Sequence, residues 1–109
     1  MLARANRVIR ADEFRSAIRR GQKVSVASCV ISIFRTAQGD PVRFGFIVGK
    51  NVGNAVIRNR LRRRMRAAAF DIVRSGVTGM NVVVRALPAA SENSVQSFRE
   101  AFESTVAQR

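Results

Sequence analysis

The sequence has no histidine, tryptophan or tyrosine, one cysteine, two prolines, and only 7 Asp and Glu against 20 Lys and Arg in 109 residues. Each scarcity removes a class of function. Without histidine there is no imidazole base and no His-ligated metal. Cys29, the lone thiol, makes neither an intramolecular disulfide nor a cysteine-based metal cage, which fits a reducing cytoplasm. It lies in an apolar run and reads as a small core residue. The carboxylates are scattered. Asp12 and Glu13 are adjacent and diverge on a helix, while Glu100 and Glu103 share a face of a near-neutral final helix. Nucleophile, base and orienting group cannot be assembled from these parts, so no catalytic residue and no protein-only metal site is expected. No apolar run approaches the roughly 20 residues that span a bilayer, so no membrane partner is expected. The N-terminus, M-L-A-R-A-N-R-V-I-R, is Arg-rich and acid-free like a transit peptide. It lacks an apolar core and a cleavage signature, and reads as part of the fold.

What the chain does have is a net charge of +13, unevenly placed. Residues 1–70 carry 16 basic and 3 acidic groups, and residues 71–109 carry 4 of each. The length suits a single domain, 1–109, with one core. Eighteen of the 20 cations are Arg, whose planar fork suits phosphate and stacks on bases. Because a G+C-rich genome also favours Arg codons, the clustering weighs more than the count.

Read in order, a first helix covers Ala11 to Arg20, with Phe14, Ala17 and Ile18 on one face and Gly21 as a left-handed stop. Lys23 to Arg35 is extended, a short strand near Val24 to Ala27 and a longer one from Cys29. The turn Gln38-Gly39-Asp40-Pro41 leads into Val42 to Gly49, whose alternation suggests a hairpin. Phe34, Phe44 and Phe46 read as sheet filling, not base platforms. Asn54 caps a long helix that runs to about Ser75 and ends at Gly76. Ile57, Leu61, Met65, Ala68 and Ile72 fall in a sector about 80° wide, the buried stripe. Phe70 does not fit that stripe. A strand from Asn81 to Leu87 and a helix from Ser94 to Val106, with Val95, Phe98, Phe102 and Val106 on one side, complete the chain. Strand, long helix, strand is a βαβ unit with parallel strands. The class is α+β, with a mixed sheet in two layers.

Six arginines, Arg58, Arg60, Arg62, Arg63, Arg64 and Arg66, crowd into nine residues of the long helix. Ordinary solvated helices mix signs, yet no acid occurs between Asp40 and Asp71. Each like-charge pair four apart costs roughly 0.2–0.5 kcal/mol, and a bound phosphate backbone reverses that sign. A polyanion is therefore the expected partner. Gly45, Gly49, Gly53 and Lys50 do not satisfy the nucleotide-binding loop G-x-x-x-x-G-K-S/T, because the spacing is short and Asn51 replaces the hydroxyl. These glycines read as relief of close packing or a turn. A helix start preceded by Lys50 and Asn54 can still offer backbone N–H groups to phosphate. A structural ribosomal-RNA binder has the same charge and size. A duplex-DNA binder fits less well, since no second docking helix is evident.

The stretch V-G-K-N-V-G-N-A-V-I-R-N-R-L-R-R-R-M-R, Val48 to Arg66, resembles the signature of the protein subunit of bacterial ribonuclease P. So do Asn6-Arg7-Val8 through Asp12-Glu13-Phe14 to Arg20-Gly21, and V-V-V-R-A-L-P-A-A, Val82 to Ala90. The resemblance implies an αβββαβα order with a mixed four-stranded sheet and a left-handed βαβ crossover, against the usual right-handed rule. It implies an endoribonuclease holoenzyme whose RNA subunit carries out the Mg²⁺-dependent removal of the 5′ leader from precursor tRNA. The partners implied are that RNA and precursor tRNA, with no protein partner required. By position, Lys50, Asn54, Arg58, Asn59 and Arg60 are the implied RNA contacts, and Arg62, Arg63, Arg64 and Arg66 extend the face. Phe14 lines the implied leader cleft. Two neighbouring positions often aromatic in relatives are Ile18 and Ser32 here, and Gly49 stands where Ser is usual. These departures weigh against base stacking in the cleft and leave backbone tracking through charge.

Overall fold

The computed structural model describes residues 2–26, 28–88 and 93–107. Its main elements are α1 (Ala11–Arg20), β1 (Gln22–Val26), β2 (Cys29–Arg35), β3 (Arg43–Ile47), α2 (Ala55–Arg74), β4 (Met80–Ala86) and α3 (Asn93–Ala107). The four strands form one mixed sheet in the order β1-β2-β4-β3.

The most apolar strand takes the centre. Val82, Val83 and Val84 of β4 are at most 1% exposed, so both faces of the strand are covered and it needs a neighbour on each side. β2 pairs with it antiparallel, Ile31 opposite Val84, and β3 pairs with it parallel, Phe44 opposite Val82. The hairpin expected across Gln38 to Pro41 is therefore not formed, because β4 lies between β2 and β3. That turn instead sits beside the start of β4. The Thr36 N–H donates to the Gly79 carbonyl (2.9 Å), and the Gly79 N–H to that of Asp40 (2.7 Å). The parallel β3–α2–β4 unit is as expected. β3 is an edge strand, and the N-terminal segment covers part of its open side: the Val8 N–H donates to the Phe44 carbonyl (3.0 Å) and Asn6 Nδ2 to that of Val42 (2.9 Å).

One sheet face carries Cys29, Ile31, Ile33, Phe44, Val82 and Val84, closed by Leu61, Met65, Ala68, Ala69 and Ile72 of α2 and Phe98 and Phe102 of α3. The rings of Phe44, Phe98 and Phe102 stand 5.9–6.3 Å apart. Phe44 and Phe46 fill the core as expected; Phe34 is half-buried on the opposite face. Ile57 also departs from expectation, being 45% exposed. It sits in the first turn of α2 and folds against Gly53, while Ala69 takes a place in the stripe.

Asn54 caps α2 through its Oδ1, which accepts from the Ile57 N–H (3.0 Å), and Gly76, at φ +95°, follows the helix. Gly21 is not a left-handed stop: its φ is −72°. Glycine is needed there for space, since a Cβ would collide with the Ala17 carbonyl oxygen and lie 3.0 Å from the Ile33 backbone.

Candidate nucleic-acid interface

Helix α1 lies across the sheet face opposite α2 and α3. Ala17 is fully buried, and Phe14 rests over Gly45, where a Cβ would come within 2.5 Å of the ring. Glu13 accepts from Arg43 Nη1 at 2.9 Å, tying α1 to β3. Ile18 and Ser32 meet in a narrow cleft of about 90 Å³, shared with Lys23, Val30, Val83 and Arg85. Phe14 shares the helix face but lies beyond this cleft. Lys23 Nζ donates to the Ile18 carbonyl, so the cleft holds a fixed cation and, in Arg85, an exposed one.

Every residue expected to contact RNA falls on the Lys50–Val52 turn, the Asn54 cap and α2. Lys50, Asn59, Arg60, Arg63, Arg64 and Arg66 are exposed; Arg58 and Arg62 are half-buried. Arg62 has structural work. It donates from Nη1 to Asn59 Oδ1 (2.9 Å) and from Nη2 to the Val48 carbonyl (3.1 Å), holding α2 to the end of β3. Arg58 Nε is buried with no hydrogen-bond partner among the described residues. Turning Nε towards a phosphate costs that donor no existing bond. The first turn of α2 holds no acid, so the positive end of its dipole, beside Lys50, is uncompensated within the helix.

A second basic surface was not singled out from the sequence. Arg4, Arg7, Arg10 and Arg43 gather round Ile9 and Glu13 in an open basin of about 510 Å³. Its signal in the sequence was the Arg-rich, acid-free N-terminus, which holds Arg4, Arg7 and Arg10; Arg43 reaches the group only through strand pairing. Among the described residues no three Cys, Asp or Glu side chains converge as a metal cage, and no helix is long and apolar enough to cross a membrane.

Fold and surface together define an RNA-binding α+β protein with two basic helix-bearing faces. A family model described as Ribonuclease P matches residues 2–108. The chain belongs to the ribonuclease P protein family, components of a tRNA-processing ribonucleoprotein enzyme. It is 38% identical to the ribonuclease P protein component of Clavibacter michiganensis over 97% of this chain and 94% of that one. The corresponding protein of Kocuria rhizophila is 37% identical over 98% and 94%. Among solved structures, the RNase P protein of Staphylococcus aureus superposes with a TM-score of 0.77 at 24% identity, covering 95% of this chain and 94% of that one. That of Thermotoga maritima does so with 0.72 at 21% identity, covering 94% and 96%. These two show the fold.

Proposed function

We propose that this chain works in the cytoplasm as the RNA-gripping subunit of ribonuclease P, binding the catalytic RNA through α2 and the 5′ leader of precursor tRNA across the α1 face. The observation that carries the proposal is α2 itself, a preformed helix with arginines around most of its circumference and no acid before Asp71. Bringing two RNAs together concentrates phosphate charge. Guanidinium groups neutralise it and release condensed counterions, work otherwise left to Mg²⁺. The hydrolysis belongs to the RNA subunit, with Mg²⁺ held by RNA. The protein supplies position and charge: Lys50, Asn54, Arg58, Asn59 and Arg60 at the start of α2, then Arg62, Arg63, Arg64 and Arg66. Phe14, Ile18 and Ser32 border the leader path, where Lys23 and Arg85 supply charge to track a backbone.

The test adds the purified chain to a ribonuclease P RNA and precursor tRNA at limiting Mg²⁺. Cleavage is expected at Mg²⁺ concentrations where the RNA alone is inactive. Arg58→Ala and Arg60→Ala should each weaken assembly and raise the Mg²⁺ requirement. Turnover that ignores the protein, or variants indistinguishable from wild type at low Mg²⁺, would sink the proposal.

A further inference from the structure

We propose that the outer face of α2 carries a base-stacking site centred on Phe70, which takes one unstacked nucleobase from a single-stranded segment of the RNA subunit while neighbouring arginines hold the adjoining phosphates. This rests on the chain binding that RNA, as proposed above, and adds a second mode of recognition to the charge of the helix.

Phe70 points away from the buried stripe of α2 and is only half-buried. With Ala67 it lines a shallow groove of about 400 Å³, bounded by Asn59, Arg63, Arg66 and Asp71. Arg66 precedes Phe70 by one helical turn and Arg74 follows it by one, so both lie on its face. The Arg74 guanidinium carbon stands 5.7 Å from the ring centroid. Arg74 is already a flat partner for the ring, and a base covers more of its exposed apolar area than a single guanidinium does. Among the described residues Asp71 is the one acid in the groove, and it is opposed by Arg99 Nη1 of α3 at 3.5 Å. What remains is an apolar floor between cations, with the Asn59 amide at one end.

Charge selects a polyanion. The aromatic floor then discriminates within that class, because a base buried in a duplex cannot present its face to a side chain on a helix surface, whereas a looped-out base can. The location selects the source. The groove opens on the α2 side, and the Ile18–Ser32 cleft proposed for the leader lies beyond the sheet, on the α1 face. A strand lying in that cleft is separated from Phe70 by the sheet and the core, so the base comes from the RNA subunit.

The chain has no Trp or Tyr, so Phe70→Trp places a sole indole in the groove. Titrating this variant with ribonuclease P RNA should quench its fluorescence as a base stacks on it. Phe70→Leu keeps an apolar side chain without a π face. It should bind the same RNA about tenfold more weakly, with the salt dependence of wild type. Arg63→Ala and Arg66→Ala should instead each lower the salt slope by about one. Wild-type affinity in Phe70→Leu, or an indole that stays bright in a saturated complex, overturns the stacking site and leaves the subunit reading intact. Quenching by precursor tRNA alone, with none by the RNA subunit, overturns the assignment of the base. A wild-type chain that does not bind the RNA subunit overturns both this site and the function on which it rests.

Discussion

Phe14 and Cys29 are both on or beside the sheet, yet their surroundings give them opposite exposure to chemistry. Phe14 is half-buried over Gly45, which leaves part of its ring beside the path proposed for the leader. Phe14→Ala should lower affinity for leader-bearing precursor more than for mature tRNA. That ratio separates a contact from a general loss of stability, which would weaken both equally and refute the assignment. Cys29 is fully buried, and burial pushes its thiol pKa up against a smaller lowering by a hydrogen bond with Ser28. The folded chain thus disfavours the thiolate. Stability from this group is present below the ordinary thiol range and falls as pH rises through it. Iodoacetamide at neutral pH should label Cys29 only as fast as the chain unfolds; rapid labelling without denaturant would contradict its placement.

Helix α2 combines a buried stripe, an anchor and the face proposed to bind RNA, and its arginines divide accordingly. Arg62 donates to Asn59 and to the Val48 carbonyl, whereas Arg60 is exposed on the other flank. Arg62→Ala should therefore cost about 1 kcal/mol of stability in urea denaturation and also weaken RNA binding. Arg60→Ala should weaken binding with the urea midpoint unchanged. Equal midpoints for the two variants would remove the anchor from this account. The periodicity of α2 revealed four of its five buried positions, Leu61, Met65, Ala68 and Ile72. It misplaced Ile57 because a wheel cannot show that the first turn meets Gly53 instead of the sheet. The anchoring task of Arg62 was hidden for a similar reason: its partner Val48 is fourteen residues away, and only the packing of α2 brings that carbonyl within reach.

For the whole molecule, a net charge of +13 sets two effects of salt against each other. In the free chain, salt screens repulsion among the arginines, so the thermal midpoint should rise between low and moderate NaCl. RNA affinity should fall over the same range, with a log–log slope of about −0.7 to −0.9 for each phosphate contacted. Calorimetry and a binding titration at matched ionic strengths check both signs. A midpoint that fell with added salt would mean that the cluster is already neutralised within the fold.

Local rules determined much of this protein before any tertiary contact was known. Asn54 and Gly76 bound a helix by capping and by positive φ, alternation and valine runs mark the strands, and an acid-free arginine helix requires an anionic partner. Three features were decided only when the sheet assembled. β4 was drawn to the centre because its valines need cover on both faces, which displaced the expected hairpin. Gly21 is required by the approach of the Ile33 backbone, not by a left-handed turn. Arg43 joined Arg4, Arg7 and Arg10 in one basin. Each depends on residues far apart in sequence, and such contacts have no period or spacing by which one chain could announce them.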